Sequence, residues 1–135
     1  MVQIDVVYQG KLHTRATHEP SGSTLVTDAP RDNMGLGEAF SPTDLLATSL
    51  VTCMLTTMGI VAQREQIDIT GATGRVIKEM TSTPPRRVAR LTVTLHLPQK
   101  LDEEQTQKLT NAAHACPVKK SLHPDVEVIT QIHWG

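Results

Sequence analysis

Polar and apolar residues alternate from the start of the chain. Val2, Ile4, Val6 and Tyr8 are separated by Gln3, Asp5 and Gln9, with only Val7 out of step. That period of two predicts a strand with one apolar face. Gly10 permits a turn into a second strand over residues 12–18, and Pro20-Ser21-Gly22 marks the next turn. A third strand covers residues 24–27, and the short spacing predicts an antiparallel meander. The pattern stops at residues 28–39, where Pro30, Gly35 and Gly37 predict an irregular loop.

A helix begins next. Ser41 is suited to cap it, Pro42 fits its first position, and Asp44 places a negative charge near its start. Residues 45–63 are apolar or small on almost every face, which predicts a helix buried all round. A membrane span is the competing reading at this length. Thr48, Ser49, Thr52, Thr56 and Thr57 thin the apolar content, however, and Asp44 and Arg64 bracket the segment closely. We therefore expect no membrane partner.

Beyond the helix, residues 67–80 read as strand, with Gly71 and Gly74 predicting a bulge or bend. After Pro84-Pro85, Leu91, Val93, Leu95 and Leu97 fall on one side, while Arg90, Thr92, Thr94 and His96 fall on the other. That is a half-buried strand. Asp102-Glu103-Glu104 opens a second helix running to about His114, its acidic first turn matching the helix dipole. Cys116-Pro117 starts a further short helix, and residues 126–133 form a closing strand. The order is βββ-α-ββ-α-α-β. Strands and helices without regular alternation predict an α+β fold, in one domain over residues 1–135.

Composition narrows the function. The 135 residues include one Tyr, one Phe and one Trp, so the core is built from Leu, Val, Ile, Ala and Met. So thin a core favours extra burial through dimerisation. A formal net charge of −1 gives no electrostatic footprint for nucleic acid. No basic region precedes an apolar stretch at the N-terminus, so no secretory signal is expected and the location is read as cytoplasmic. In a reducing compartment the two cysteines favour a transient or catalytic disulfide over a structural one.

Cys53 lies within the apolar helix, where a free cysteine commonly serves as a small hydrophobe. Cys116 precedes Pro117 and is placed to cap the short helix, a position that lowers a thiol pKa. Together they form a redox pair only if the fold brings them close. Three other readings compete. His114, Cys116, His123 and Cys53 offer a metal set, but without the usual zinc spacing. Cys116 with His114 or His123 suggests a cysteine hydrolase, but no oxyanion motif accompanies them, and residues two apart on a helix do not face each other. The apolar helix also suits a non-catalytic pocket for a lipid-like ligand. His13, His18, His96 and His133 carry no assigned role, and Arg86, Arg87 and Arg90 read as a solvated edge.

Two blocks carry a family resemblance. The run from Phe40-Ser41-Pro42-Thr43-Asp44-Leu45 to Thr52-Cys53 resembles the first cysteine motif of the OsmC/Ohr family. His114-Ala115-Cys116-Pro117-Val118, with Ser121-Leu122, is similar to its second. The resemblance implies an antiparallel sheet with a long buried central helix, and a swapped homodimer with two active sites at the subunit interface. It also implies a thiol peroxidase that reduces hydroperoxides, with Cys53 peroxidatic and Cys116 resolving. The cofactor list is then empty: no metal, flavin or haem is needed, and an external thiol or dihydrolipoyl reductant resets the pair.

The family activates its cysteine with an arginine held by a glutamate. Arg31, in the irregular loop, is the first choice for that arginine, and Arg15, on the second strand, is the alternative. The family's glutamate position holds Thr43 here. Asp44, one residue on, points about 100° away around a helix. It either caps its own helix or pairs with Arg31.

Overall fold

Alternation and helix signals place every element in its observed order. The computed structural model describes residues 1–135, which divide into two compact units, Met1–Leu46 and Ala47–Gly135.

The first unit holds an antiparallel sheet of β1 (Ile4–Gly10), β2 (His13–His18) and β3 (Thr24–Asp28), in that order. Its first hairpin turns at Lys11 and Leu12, with φ of 53° and 64°, rather than at Gly10. A two-residue hairpin needs positive φ at both central positions. Gly10, with φ of 84°, sits beside the register shift after Tyr8. Ile4, Val6 and Tyr8 share a face with Leu25, as the pairs Val6↔Ala16 and Ala16↔Leu25 show. All four stay between 45% and 63% exposed.

The loop that follows contains a single 3-10 turn, Arg31–Asn33. Gly35 is required there, since a Cβ would come within 1.7 Å of the Ala29 carbonyl oxygen. The long helix α1 spans Pro42–Arg64. Its start is a reciprocal box: the Asp44 amide donates to Ser41 Oγ at 3.1 Å, and the Ser41 amide donates to Asp44 Oδ2 at 2.9 Å.

The second unit packs α1 from Ala47 onward, α2 (Glu103–His114) and α3 (Pro117–Ser121) with a sheet of β4 (Thr73–Met80), β5 (Val88–Leu97) and β6 (Glu127–Trp134). The expected antiparallel sheet is corrected here. β4 and β5 run antiparallel, but β6 runs parallel to β5. The chain between them passes through α2 and α3, the kind of long crossover that parallel strands need.

Two further expectations change. The α1 helix is not buried all round. Ala47, Leu50, Val51, Met54, Met58 and Ala62 form a buried stripe, whereas Thr52, Thr56 and Ile60 are exposed. Threonine hydroxyls line the solvent side because each can donate back to its own helix, as Thr52 does to Thr48 O and Thr56 to Thr52 O. The helix is long and apolar enough to cross a membrane, but Leu50, Met54 and Met58 are fully buried in a core with Leu91, Val93, Leu95 and Leu109.

The strand expected at residues 67–80 begins only at Thr73. Asp68 Oδ1 accepts from the Thr70 amide, Ala72 N–H donates to Ile69 O, and Gly71 adopts φ of 93°. These turn contacts replace a ladder. Gly74 has a packing role, since a Cβ on it would meet Val51 Cγ1 at 2.5 Å.

Candidate active site

Both cysteines belong to the second unit and both are free thiols. Cys53 is carried on α1 next to the buried residue Met54, and it is half-buried. Its carbonyl accepts from the Thr57 hydroxyl at 3.0 Å.

Cys116 stands at the corner between α2 and α3. Ala112 and Ala113 bury the end of α2 in the core, and Ala115 closes that helix with its N–H on Asn111 O and Ala112 O. The chain then restarts at Pro117, whose missing N–H is harmless at a first helical position. Cys116 is therefore the N-cap of α3, as its sequence context predicts. Its Sγ accepts the Lys119 backbone N–H at 3.3 Å, and the residue is fully buried.

Cys53 stands close enough to Cys116 to perturb its thiol. Cys53 is half-buried and Cys116 fully buried. Burial pushes the Cys116 thiol above its ordinary value, and the neighbouring Cys53 thiol pushes it further, through its hydrogen bond and its charge. The backbone N–H groups of Lys119 and Val118 act in the opposite direction but do not win. The expectation that helix capping lowers this thiol is thus reversed by burial. Cys116 is held as the neutral S–H.

Other sequence candidates occupy defined positions. Asp44 caps α1, as one of its two expected roles required. Thr43 Oγ1 lies 3.3 Å from Ser41 Oγ in the same turn. Arg31 is exposed, and its Nε donates to Leu36 O at 3.1 Å, bracing the loop that carries it. Arg15 is exposed on β2, opposite Val7 and Val26.

The histidines proposed as metal ligands or bases are engaged elsewhere. Lys119 Nζ lies 3.0 Å from His114 Nδ1, and His123 Nδ1 accepts from the Asp125 N–H at 3.0 Å. Arg90 is exposed but pairs with both neighbouring strands, at 3.4 Å to Glu79 and 3.0 Å to Glu127. In the first unit, His13, Asp28 and Glu38 gather their ligating atoms within 4.8 Å of one another. Sequence reading gave His13 no role. The available signal was a histidine and an aspartate at the facing ends of two strands.

Comparison with known proteins bears on the same residues. Residues 35–131 match the family model for OsmC-like protein. No curated relative matches. A crystal structure from Psychrobacter arcticus 273-4, named as an osmotic stress induced and detoxification response protein, is 49% identical, with a TM-score of 0.93. That alignment covers 98% of this chain and 96% of the other.

The organic hydroperoxide resistance protein OsmC of Legionella pneumophila shares the fold at 20% identity and a TM-score of 0.74, covering 98% and 96% of the two chains. OhrB of Bacillus subtilis does so at 19% identity and 0.70, covering 98% and 97%. The matched segment spans well over half of the sequence and includes both cysteines, so the chain belongs to the OsmC-like protein family.

Proposed function

We propose that the chain is a thiol-dependent hydroperoxide reductase, working through a Cys53 sulfenic acid and a Cys53–Cys116 disulfide. The observation that carries this reading is that a half-buried thiol on α1 and a buried thiol capping α3 lie in one unit, close enough for the first to perturb the second. Structural neighbours named for organic hydroperoxide resistance agree with it.

The Cys53 thiolate attacks the terminal peroxide oxygen, forming an S–O bond as the O–O bond breaks. The leaving alkoxide takes a proton and departs as an alcohol, or as water from hydrogen peroxide. Cys116 sulfur then attacks Cys53 sulfur, forming the S–S bond. Hydroxide leaves with the Cys116 proton as water. An external thiol or dihydrolipoyl reductant returns two electrons and two protons.

A cation beside an attacking sulfur favours its thiolate. Arg31 is our first assignment and Arg15 the second. No metal or organic cofactor enters the cycle. We read the working form as a swapped homodimer in the cytoplasm, supported by the apolar row Ile4, Val6, Tyr8 and Leu25 left open on one sheet face.

The deciding experiment treats reduced protein with cumene hydroperoxide and follows intact mass. Wild type should lose two hydrogens, Cys116→Ser should accumulate a sulfenic acid, and Cys53→Ser should stay unchanged. Two thiols that stay reduced throughout would sink the proposal in favour of a ligand-binding member of the fold.

A further inference from the structure

We infer that His13, Asp28 and Glu38 form a binding site for one divalent transition cation of zinc type. The site lies wholly within the first unit and is independent of the peroxidase reading.

The site is assembled by the hairpins of the first sheet. His13 and Asp28 are direct cross-strand partners at one end of the β2–β3 ladder. Glu38 returns to them after the loop, and its N–H donates to Asp28 Oδ2 at 2.9 Å. One aspartate oxygen is thereby used to position the third side chain. The other, Oδ1, is buried and has no hydrogen-bond partner, on a side chain that is 0% exposed. A buried carboxylate oxygen left in that state is costly, and a cation is the usual remedy.

The distances point the same way. His13 Nε2 lies 3.5 Å from Asp28 Oδ1 and 3.6 Å from Glu38 Oε2. Both are too long for a good hydrogen bond. They match the separation of about 3.4 Å between ligands in a tetrahedral zinc site with bonds of about 2.0–2.2 Å.

The histidine is also set for ligation. Its Nδ1 lies 2.8 Å from the Lys11 carbonyl, which can only accept, so Nδ1 carries the proton. Nε2 then presents its lone pair, and the carbonyl fixes the ring in the manner of outer partners at metal centres. The left-handed Lys11-Leu12 turn brings that carbonyl into place. One imidazole and two carboxylates suit zinc, with a fourth position left for water.

The test strips the full-length protein with a chelator and titrates it with zinc by calorimetry, alongside metal analysis. Because thiols also bind zinc, the Cys53→Ser, Cys116→Ser double variant is measured in parallel. We expect one zinc per chain in both proteins. His13→Gln and Glu38→Gln should each weaken binding by more than about tenfold. The Glu38 side chain is 61% exposed, so that variant should fold even if Asp28→Asn does not. Zinc should raise the Tm of wild type and leave that of His13→Gln unmoved. Cobalt should give a tetrahedral spectrum without a thiolate charge-transfer band. Absence of binding, binding that vanishes with the cysteines, or binding unchanged in both His13→Gln and Glu38→Gln would each overturn the inference.

Discussion

Gly74 and Val51 meet where β4 packs against α1: a Cβ on Gly74 would stand 2.5 Å from Val51 Cγ1, with Leu95 Cδ2 at 3.1 Å and Leu55 Cδ1 at 3.4 Å. Val51 and Leu95 belong to the buried core, so neither yields without disturbing it. Gly74→Ala should therefore cost about 1–3 kcal/mol, the usual range for an overpacked site. Urea unfolding measures it. An unchanged midpoint would mean that helix and strand slide apart freely.

Thiol reactivity should be ordered. Cys53 is half-buried, whereas Cys116 is fully buried and its thiol is raised above 9.0, by burial first and by Cys53 second. Iodoacetamide near neutral pH should label Cys53 well before Cys116, read by peptide mapping. Faster labelling of Cys116 would invert the assigned roles.

The Cys116 shift also carries a stability sign. A folded-state pKa above the unfolded value means that the native form holds its proton more tightly. Its contribution is complete below about pH 9 and declines as pH rises beyond that. Cys116→Ala should lose this alkaline slope in denaturation curves, whatever its absolute stability.

His114 gives the opposite window. Burial first and the Lys119 charge second lower its pKa from 6.5. The native state resists protonation, so stability is intact above about pH 6.5 and falls as pH drops below it. The group is exposed, so the effect is small. His114→Gln should flatten the decline between about pH 6.5 and 5. A parallel slope in both proteins would remove the assignment.

The open sheet face makes a prediction about assembly. Val6→Lys places a charge at the centre of the row Ile4, Val6, Tyr8 and Leu25. Sedimentation should find a dimer in wild type and a shift towards monomer in the variant. Wild type that sediments as a monomer at high concentration would refute the dimer.

What the sequence revealed follows from how local each signal is. Ser41, Pro42 and Asp44 announce the start of α1 because capping involves only neighbours, and the observed box uses those atoms. The alternation Leu91-Val93-Leu95 identifies β5 but carries no direction, so the parallel pairing of β6 was hidden in the crossover. Ile67 and Ile69 looked like strand because alternation alone does not register the turn that Asp68 and Gly71 impose. The one-sidedness of α1 escaped notice because threonine passes for small and neutral until its hydroxyl is seen bonded to the helix. Cys53 and Cys116 were legible as motifs, and their proximity required the fold. His13 and Asp28 were invisible as partners because the Lys11-Leu12 turn and the strand register together decide who faces whom.

Because Cys116 sulfur also receives the Lys119 amide, its chemistry is written into the backbone of α3. A thiol that becomes part of a disulfide changes as an acceptor, and that amide feels the change without any added label. The Lys119 N–H resonance, and its rate of exchange with deuterium, should then report whether Cys116 is a thiol or a disulfide.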